Sequence, residues 1–104
     1  GAIGYHWIID RNGEITKGRD ESTPGAHVAG HNTGSIGICL IGGHGSSEND
    51  PFLKNYTPEQ ELALRNLIED IKTRAKITQI RGHNEVAAKA CPGFNVKRWL
   101  ENKP

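Results

Sequence analysis

Apolar and polar positions alternate at the start of the chain in a way that predicts a β-hairpin. Residues 5–9 are rich in aromatic and β-branched side chains, and a second short segment, 14–17, follows an Asn-Gly turn signal. Strands have a side-chain period of two. Alternation therefore places two sets of side chains on opposite faces of the first strand: Tyr5, Trp7 and Ile9 on one, His6 and Ile8 on the other.

A nearly continuous apolar run from residue 35 to 41 predicts a further strand. Glycines bound the run, and its composition is typical of a central strand covered on both faces. The preceding stretch, 18–34, contains several glycines and a proline and predicts a long loop of the kind that often carries function. The following stretch, 42–56, is polar and glycine-rich and predicts a surface excursion.

The clearest helix signal begins at Thr57. The sequence Thr-Pro-Glu-Gln supplies an N-cap, a proline at the first helical position and a glutamine at the third. Apolar residues then follow at spacings of three and four, which predicts a helix packed on a sheet. This stripe consists of Leu64, Leu67, Ile68, Ile71 and Ala75.

The remaining pattern predicts a short strand at 77–80 and a closing helix at 95–102, with Val96, Trp99 and Leu100 on one side. The order of elements is then strand, strand, loop, strand, helix, strand, loop, helix. We therefore predict an α/β fold in which residues 1–104 form a single domain, with helices packed on a β-sheet.

Composition narrows the range of functions. The 104-residue chain has a formal net charge of +1 and 35% hydrophobic residues. Its basic residues are spread along the chain, so nucleic acid is not the expected ligand. No apolar run approaches the roughly 20 residues that a membrane span requires. We expect a monomer with no membrane span.

Candidate chemistry is concentrated in the segment 82–92. It contains His83 and Cys91, an imidazole and a thiol that suit zinc, with the ammonium of Lys89 beside them. The alternative is that Cys91 is a small packed residue and His83 a loop histidine bonded to backbone. Gly82 and Pro92 at the ends of the segment favour a metal-binding site over a turn with a purely structural role.

The second cysteine, Cys39, lies within the apolar run and is predicted to be a packed strand thiol. A disulfide with Cys91 is possible in principle. Two cysteines in a chain without a dense framework of disulfides are more typical of reduced thiols.

The chain resembles the zinc-dependent N-acetylmuramoyl-L-alanine amidases, and most closely the phage-type amidase lysozymes, which share a fold with the peptidoglycan recognition proteins. The matching motifs keep their order over almost the whole chain: residues 4–9, 18–20, 25–27, 32–43 and 83–92. The resemblance implies a mixed β-sheet with a zinc-floored groove at one end. It also implies hydrolysis of the amide bond that joins N-acetylmuramic acid to L-alanine in peptidoglycan, as in an endolysin.

The resemblance also implies roles for individual residues. His83 and Cys91 match zinc ligands, and Tyr5 and Lys89 match a catalytic tyrosine and lysine. His27 matches a histidine on the groove wall, and Asn32 lies in the matching substrate-binding loop. Read from the residues alone, a strand tyrosine is more often a packing residue, and Lys89 is equally well a solvent-facing cation that favours the thiolate of Cys91.

The chain departs from the family pattern at one point. In the family, the first zinc histidine lies on a strand near the N-terminus, ahead of the Gly-Tyr-His strand with which this sequence begins. We therefore expect an N-terminally incomplete domain, a site completed by another histidine or another chain, or a form without catalytic zinc. The rival function is a peptidoglycan-binding module without hydrolysis. Localisation stays open between the cytoplasm of a phage-infected host and export to the cell wall.

Overall fold

The computed structural model describes residues 4–25, 34–83 and 91–102. Within these ranges the chain forms three short strands and three helices. The strands are β1 (Trp7–Ile9), β2 (Ile15–Lys17) and β3 (Ile38–Leu40). The helices are α1 (Phe52–Asn55), α2 (Pro58–Lys72) and α3 (Val96–Glu101). The predicted α/β architecture is confirmed.

The sheet is mixed, with the order β2-β1-β3. β1 and β2 are antiparallel, as the predicted hairpin requires, and Gly13 in their turn has a φ of +86°. β1 and β3 are parallel. β1 therefore occupies the centre of the sheet that the described residues form. β3, which was predicted to be a central strand covered on both faces, lies at the edge of this described sheet and is half-buried.

The regular hydrogen-bond pattern of a strand is interrupted just before β1. The backbone amides of His6 and Trp7 both donate to the Gly37 carbonyl, at 2.9 and 3.2 Å, so two consecutive residues face one residue of the neighbouring segment. Both side chains then bond to the same loop: His6 Nε2 to the Thr23 carbonyl at 2.6 Å, and Trp7 Nε1 to Glu21 Oε2 at 2.6 Å. The strand predicted to start at Tyr5 thus begins at Trp7, and the placement of His6 and Trp7 on opposite faces stays a prediction.

His6 is fully buried and structural. Its Nδ1 accepts a hydrogen bond from the Gly37 amide at 2.9 Å, so the proton lies on Nε2, which donates to Thr23. The imidazole thus ties β1 both to the loop after β2 and to the approach to β3.

The core lies between the sheet and the helices. Ile9 is its fully buried strand residue, and α2 contributes Leu64, Leu67, Ile68 and Ile71 of the predicted stripe. Ala75, the last residue predicted for the stripe, lies beyond the end of α2 and is partly buried against the core. The capping box at Thr57 and Gln60 is present as predicted, with Pro58 at the first helical position. The closing helix is confirmed as α3, where Asn95 accepts a hydrogen bond from the Arg98 amide.

Two predicted segments differ from the structure. Residues 77–80 form no strand: Ile77 and Ile80 pack against the core while Thr78 and Gln79 are exposed, a spacing of three that does not fit the two-residue period of a strand. The predicted surface excursion 42–56 contains α1, and its aromatic residues Phe52 and Tyr56 are both buried in the core.

Candidate active site

The structure describes half of the predicted site. The described residues are Tyr5, His83 and Cys91. The other predicted residues lie outside the described residues: His27, Asn32 and Lys89.

Tyr5 is held by the hairpin backbone just before β1. Its carbonyl accepts a hydrogen bond from the Arg19 amide at 2.9 Å, and its side chain is half-buried. Burial raises the pKa of the Tyr5 phenol above its ordinary value of 10.0, and negative charge on Cys91 and then on Cys39 raises it further. The phenol therefore stays protonated at neutral pH and can act as a hydrogen-bond donor.

Cys91 lies on an exposed turn whose next peptide bond, to Pro92, is cis. Two buried aromatic residues fix the chain immediately after it. The Tyr56 hydroxyl donates to the Pro92 carbonyl at 2.6 Å, and Phe94 is 3% exposed within the aromatic part of the core. The thiol is thus presented to solvent from a well-anchored segment.

The two thiols and the two phenols of the chain are electrostatic neighbours. Burial raises the pKa of the Cys39 thiol, with Cys91 as the next cause. Burial also raises the pKa of Tyr56 to about 12, with Cys91 and Cys39 contributing and Arg11 opposing. Cys39 lies in β3 as predicted, and no disulfide joins it to Cys91. Charge on Cys91 therefore acts on the side chains of Tyr5, Tyr56 and Cys39.

His83 lies at the end of the described segment 34–83, after the buried Gly82. Its imidazole is half-buried. Imidazole nitrogen and thiolate sulfur are both donors that zinc accepts, so the chemistry of His83 and Cys91 fits that metal. Within ranges 4–25, 34–83 and 91–102, however, no three His, Cys, Asp or Glu side chains come together as a metal-binding group. A third protein ligand is therefore not supplied by these residues.

Sequence reasoning missed the part played by Tyr56. The segment that carries it has the pattern of a polar excursion because glycine, serine and other polar residues dominate its first half. The available signal was the spacing of Phe52 and Tyr56, four residues apart, which places two aromatic rings on one face of a helical turn. Their ring centroids lie 5.2 Å apart.

Comparison with known proteins places these features in a family. Residues 1–94 match the sequence profile described as N-acetylmuramoyl-L-alanine amidase. The chain belongs to this amidase family. The resemblance noted from the motifs at Tyr5, His83 and Cys91 is thereby confirmed at the level of the family.

The matching relatives include phage endolysins. The endolysin of Escherichia phage T7 is 44% identical over 99 residues, and that of Klebsiella phage KP32 is 43% identical over 99 residues. Each alignment covers 95% of this chain and 64% of the relative. The chain thus spans a little under two thirds of the length of these proteins.

Solved structures agree with the fold. N-acetylmuramoyl-L-alanine amidase LysC from Clostridium intestinale matches with a TM-score of 0.76 at 28% identity, over 94% of this chain and 62% of that one. Drosophila peptidoglycan recognition protein SD matches with a TM-score of 0.72 at 28% identity, over 97% of this chain and 57% of that one. The predicted fold, shared by amidases and peptidoglycan recognition proteins, is confirmed.

Proposed function

We propose that the protein is a peptidoglycan hydrolase that cleaves the amide bond between N-acetylmuramic acid and L-alanine by means of zinc-activated water. The observation that supports this most directly is the match of residues 1–94 to the amidase family profile, and charge on Cys91 also raises the pKa of Tyr5. Matches to endolysins and amidases supply the reaction and the substrate class. The partner is therefore peptidoglycan or a muropeptide.

In this proposal, His83 and Cys91 hold the metal, together with a third ligand from outside the described residues. Zinc, when bound, would lower the pKa of a water molecule and polarise the scissile carbonyl. Water adds across the carbon–nitrogen bond, leaving a carboxylate on the lactyl group of the sugar and a free amine on L-alanine.

The other proposed residues act on the substrate. The Tyr5 phenol stays protonated and donates a hydrogen bond at the reacting carbonyl or water. The Lys89 ammonium stabilises the negative charge that develops on the carbonyl oxygen. His27 and Asn32 bind the muramyl peptide along the groove.

Zinc binding provides the first test. We expect Cys91→Ser to abolish stoichiometric zinc binding, because hydroxyl is a much poorer zinc ligand than thiolate. Cys39→Ser is the matched control and is expected to retain it. Metal content after dialysis measures both, and unchanged stoichiometry in Cys91→Ser would contradict the assigned ligand.

Digestion of muropeptides tests the assignment of Lys89. We expect Lys89→Ala to retain zinc and to lose roughly 100- to 1,000-fold in turnover, the usual effect of removing one oxyanion donor. Lys76→Ala, at an exposed position, is the matched control. Release of free alanine amino groups reports the reaction, and equal zinc loss in Lys89→Ala and Cys91→Ser would overturn the separate roles.

The second candidate function is binding of peptidoglycan without cleavage. The sequence identifies two protein ligands, His83 and Cys91, whereas three are typical of a catalytic zinc site, which favours this function. Similarity to a peptidoglycan recognition protein supports it as well. Calorimetric binding of a muropeptide with no release of amino groups in the presence of zinc would decide for the binding module.

A further inference from the structure

We propose that Tyr56 is a positioning residue for Cys91, whose buried hydroxyl fixes the turn that presents the thiol to the metal. This inference rests on the proposed zinc site and assigns a role to a residue that lies far from Cys91 in sequence. It concerns how the ligand is held, and Tyr56 itself does not touch the metal or the substrate.

The central observation is one hydrogen bond. The Tyr56 hydroxyl donates to the carbonyl of Pro92, the residue directly after Cys91, over 2.6 Å. The tyrosine side chain is 6% exposed, so little water competes for that carbonyl. A restraint on Pro92 acts directly on the backbone that carries Cys91.

The ring of Tyr56 is itself rigidly placed. Its centroid lies 5.2 Å from that of Phe52 and 6.0 Å from that of Phe94, which follows the turn. Its backbone amide donates to the Phe52 carbonyl at 3.1 Å and closes α1. The hydroxyl is therefore carried on a side chain that packing holds in one orientation.

Close packing of two glycines supports the same arrangement. A Cβ atom at Gly43 would overlap the Tyr56 hydroxyl, and a Cβ atom at Gly93 would overlap Ser46 Oγ. Both glycines also have positive φ angles, +78° and +86°. The loop before α1 thus contacts both the tyrosine hydroxyl and the residue after Pro92, and it leaves the turn little room to shift.

The predicted consequence is a change in zinc affinity without a comparable change in folding. Tyr56→Phe keeps the ring and removes only the hydroxyl. We expect it to weaken zinc binding about 3- to 10-fold, the effect of losing one net hydrogen bond at a position that orients a ligand. A purely structural role would lower the melting temperature and leave the affinity of the folded protein unchanged.

The matched control is Thr73→Val. Thr73 Oγ1 also donates to a backbone carbonyl, that of Asp70, at 2.6 Å, but it lies at the exposed C-terminal end of α2. Its removal should leave zinc affinity unchanged. Zinc dissociation constants are measured by competition with a chromophoric chelator on the same 104-residue chain, with circular dichroism used to verify that each variant is folded.

A second readout requires no metal. In zinc-free protein, we expect hydrogen exchange of the backbone amides of Gly93 and Phe94, which are buried, to be about 3- to 10-fold faster in Tyr56→Phe, since the loss of one hydrogen bond frees the turn. Thr73→Val should exchange like the unmodified chain at these two amides. A Tyr56→Phe chain that does not fold would show that the hydroxyl serves folding and would overturn the inference.

The outcomes separate this inference from the proposed function. Weaker zinc binding and faster amide exchange in Tyr56→Phe alone support the positioning role. Faster amide exchange in a chain that binds no zinc retains the restraint on the turn and rejects the zinc site. Unchanged amide exchange and zinc affinity in Tyr56→Phe, or equal changes in Thr73→Val, overturn the inference.

Discussion

Gln60 is the polar residue on which the junction of sheet and helix depends. It is completely buried, and its amide nitrogen donates to the carbonyls of Ile9 at 3.2 Å and Ile41 at 2.9 Å. Its amide oxygen accepts from the Thr57 backbone at 3.0 Å. One side chain therefore provides hydrogen bonds to backbone groups at the end of β1, just after β3 and at the start of α2. Buried polar groups need such partners.

Replacing Gln60 by leucine should be strongly destabilising. The variant leaves the Ile41 carbonyl without its amide partner and breaks the capping box, so we expect a loss of about 2 to 4 kcal/mol in the free energy of unfolding. Urea denaturation measures this loss. Gln79→Leu, at an exposed position, is the matched control and should change stability by no more than about 0.5 kcal/mol.

Glu21 connects the loop after β2 to the end of α2. Its carboxylate accepts from Trp7 Nε1 at 2.6 Å and from Arg74 at 3.1 and 2.7 Å. The hydrogen bond from Arg74 is the main reason that the pKa of Glu21 lies below its ordinary value of 4.5, although burial opposes the shift. Because the pKa is lowered by folding, this contribution to stability is present above pH 4.5 and is lost as the pH falls through the folded value.

Measurements of the free energy of unfolding at several pH values test this predicted loss of stability at low pH. We expect Glu21→Gln to lower the free energy of unfolding by about 1 kcal/mol near neutral pH, and the difference from the unmodified chain to shrink as the pH falls below 4.5. Glu69→Gln disrupts an exposed pair with Lys72 and serves as the control. A difference that stays constant or grows towards low pH would show that the carboxylate is not the source of the stability.

Some important residues can be identified from the sequence alone and others cannot. His83 and Cys91 stand out because imidazole and thiol are rare and chemically distinctive, so their types alone suggest a metal. Tyr56 and Gln60 do not stand out in the same way. Their importance arises from partners 36 and 51 residues away, which no local pattern specifies.

Among the elements, α2 was predictable because its signals are local. The cap, the proline and the apolar stripe lie within one continuous segment, and the structure confirms the cap, the proline and the stripe from Leu64 to Ile71. β3 and the segment 77–80 were predicted less well, since apolar runs do not reveal which strand is central or whether a ladder forms. Pairing depends on long-range contacts that the hydrophobic pattern leaves undefined.

The buried face of α2 should account for much of its contribution to stability. Leu67 is 6% exposed and Leu62, on the same helix, is 64% exposed. We expect Leu67→Ala to destabilise the protein by about 2 to 5 kcal/mol, because it leaves a cavity in the core. Leu62→Ala should cost no more than about 0.5 kcal/mol. Similar losses from both substitutions in thermal or urea unfolding would contradict the assigned packing face.

For the molecule as a whole, the mixed sheet brings together segments that are distant in sequence and carry the candidate site residues. The parallel pairing of β1 with β3 brings the strand that carries Cys39 alongside the segment that begins with Tyr5. Packing of Phe94 and Tyr56 then anchors the turn at Cys91. Among the described residues, no helix combines the length and apolar character needed to cross a bilayer.

The central claim is that His83 and Cys91 bind the same zinc ion. X-ray absorption spectroscopy of the zinc-loaded chain tests it most directly. We predict one sulfur at about 2.3 Å and nitrogen at about 2.0 to 2.1 Å in the first coordination shell, with the sulfur lost in Cys91→Ser and retained in Cys39→Ser. A shell without sulfur in the unmodified chain, or one that keeps its sulfur in Cys91→Ser, would contradict the claim.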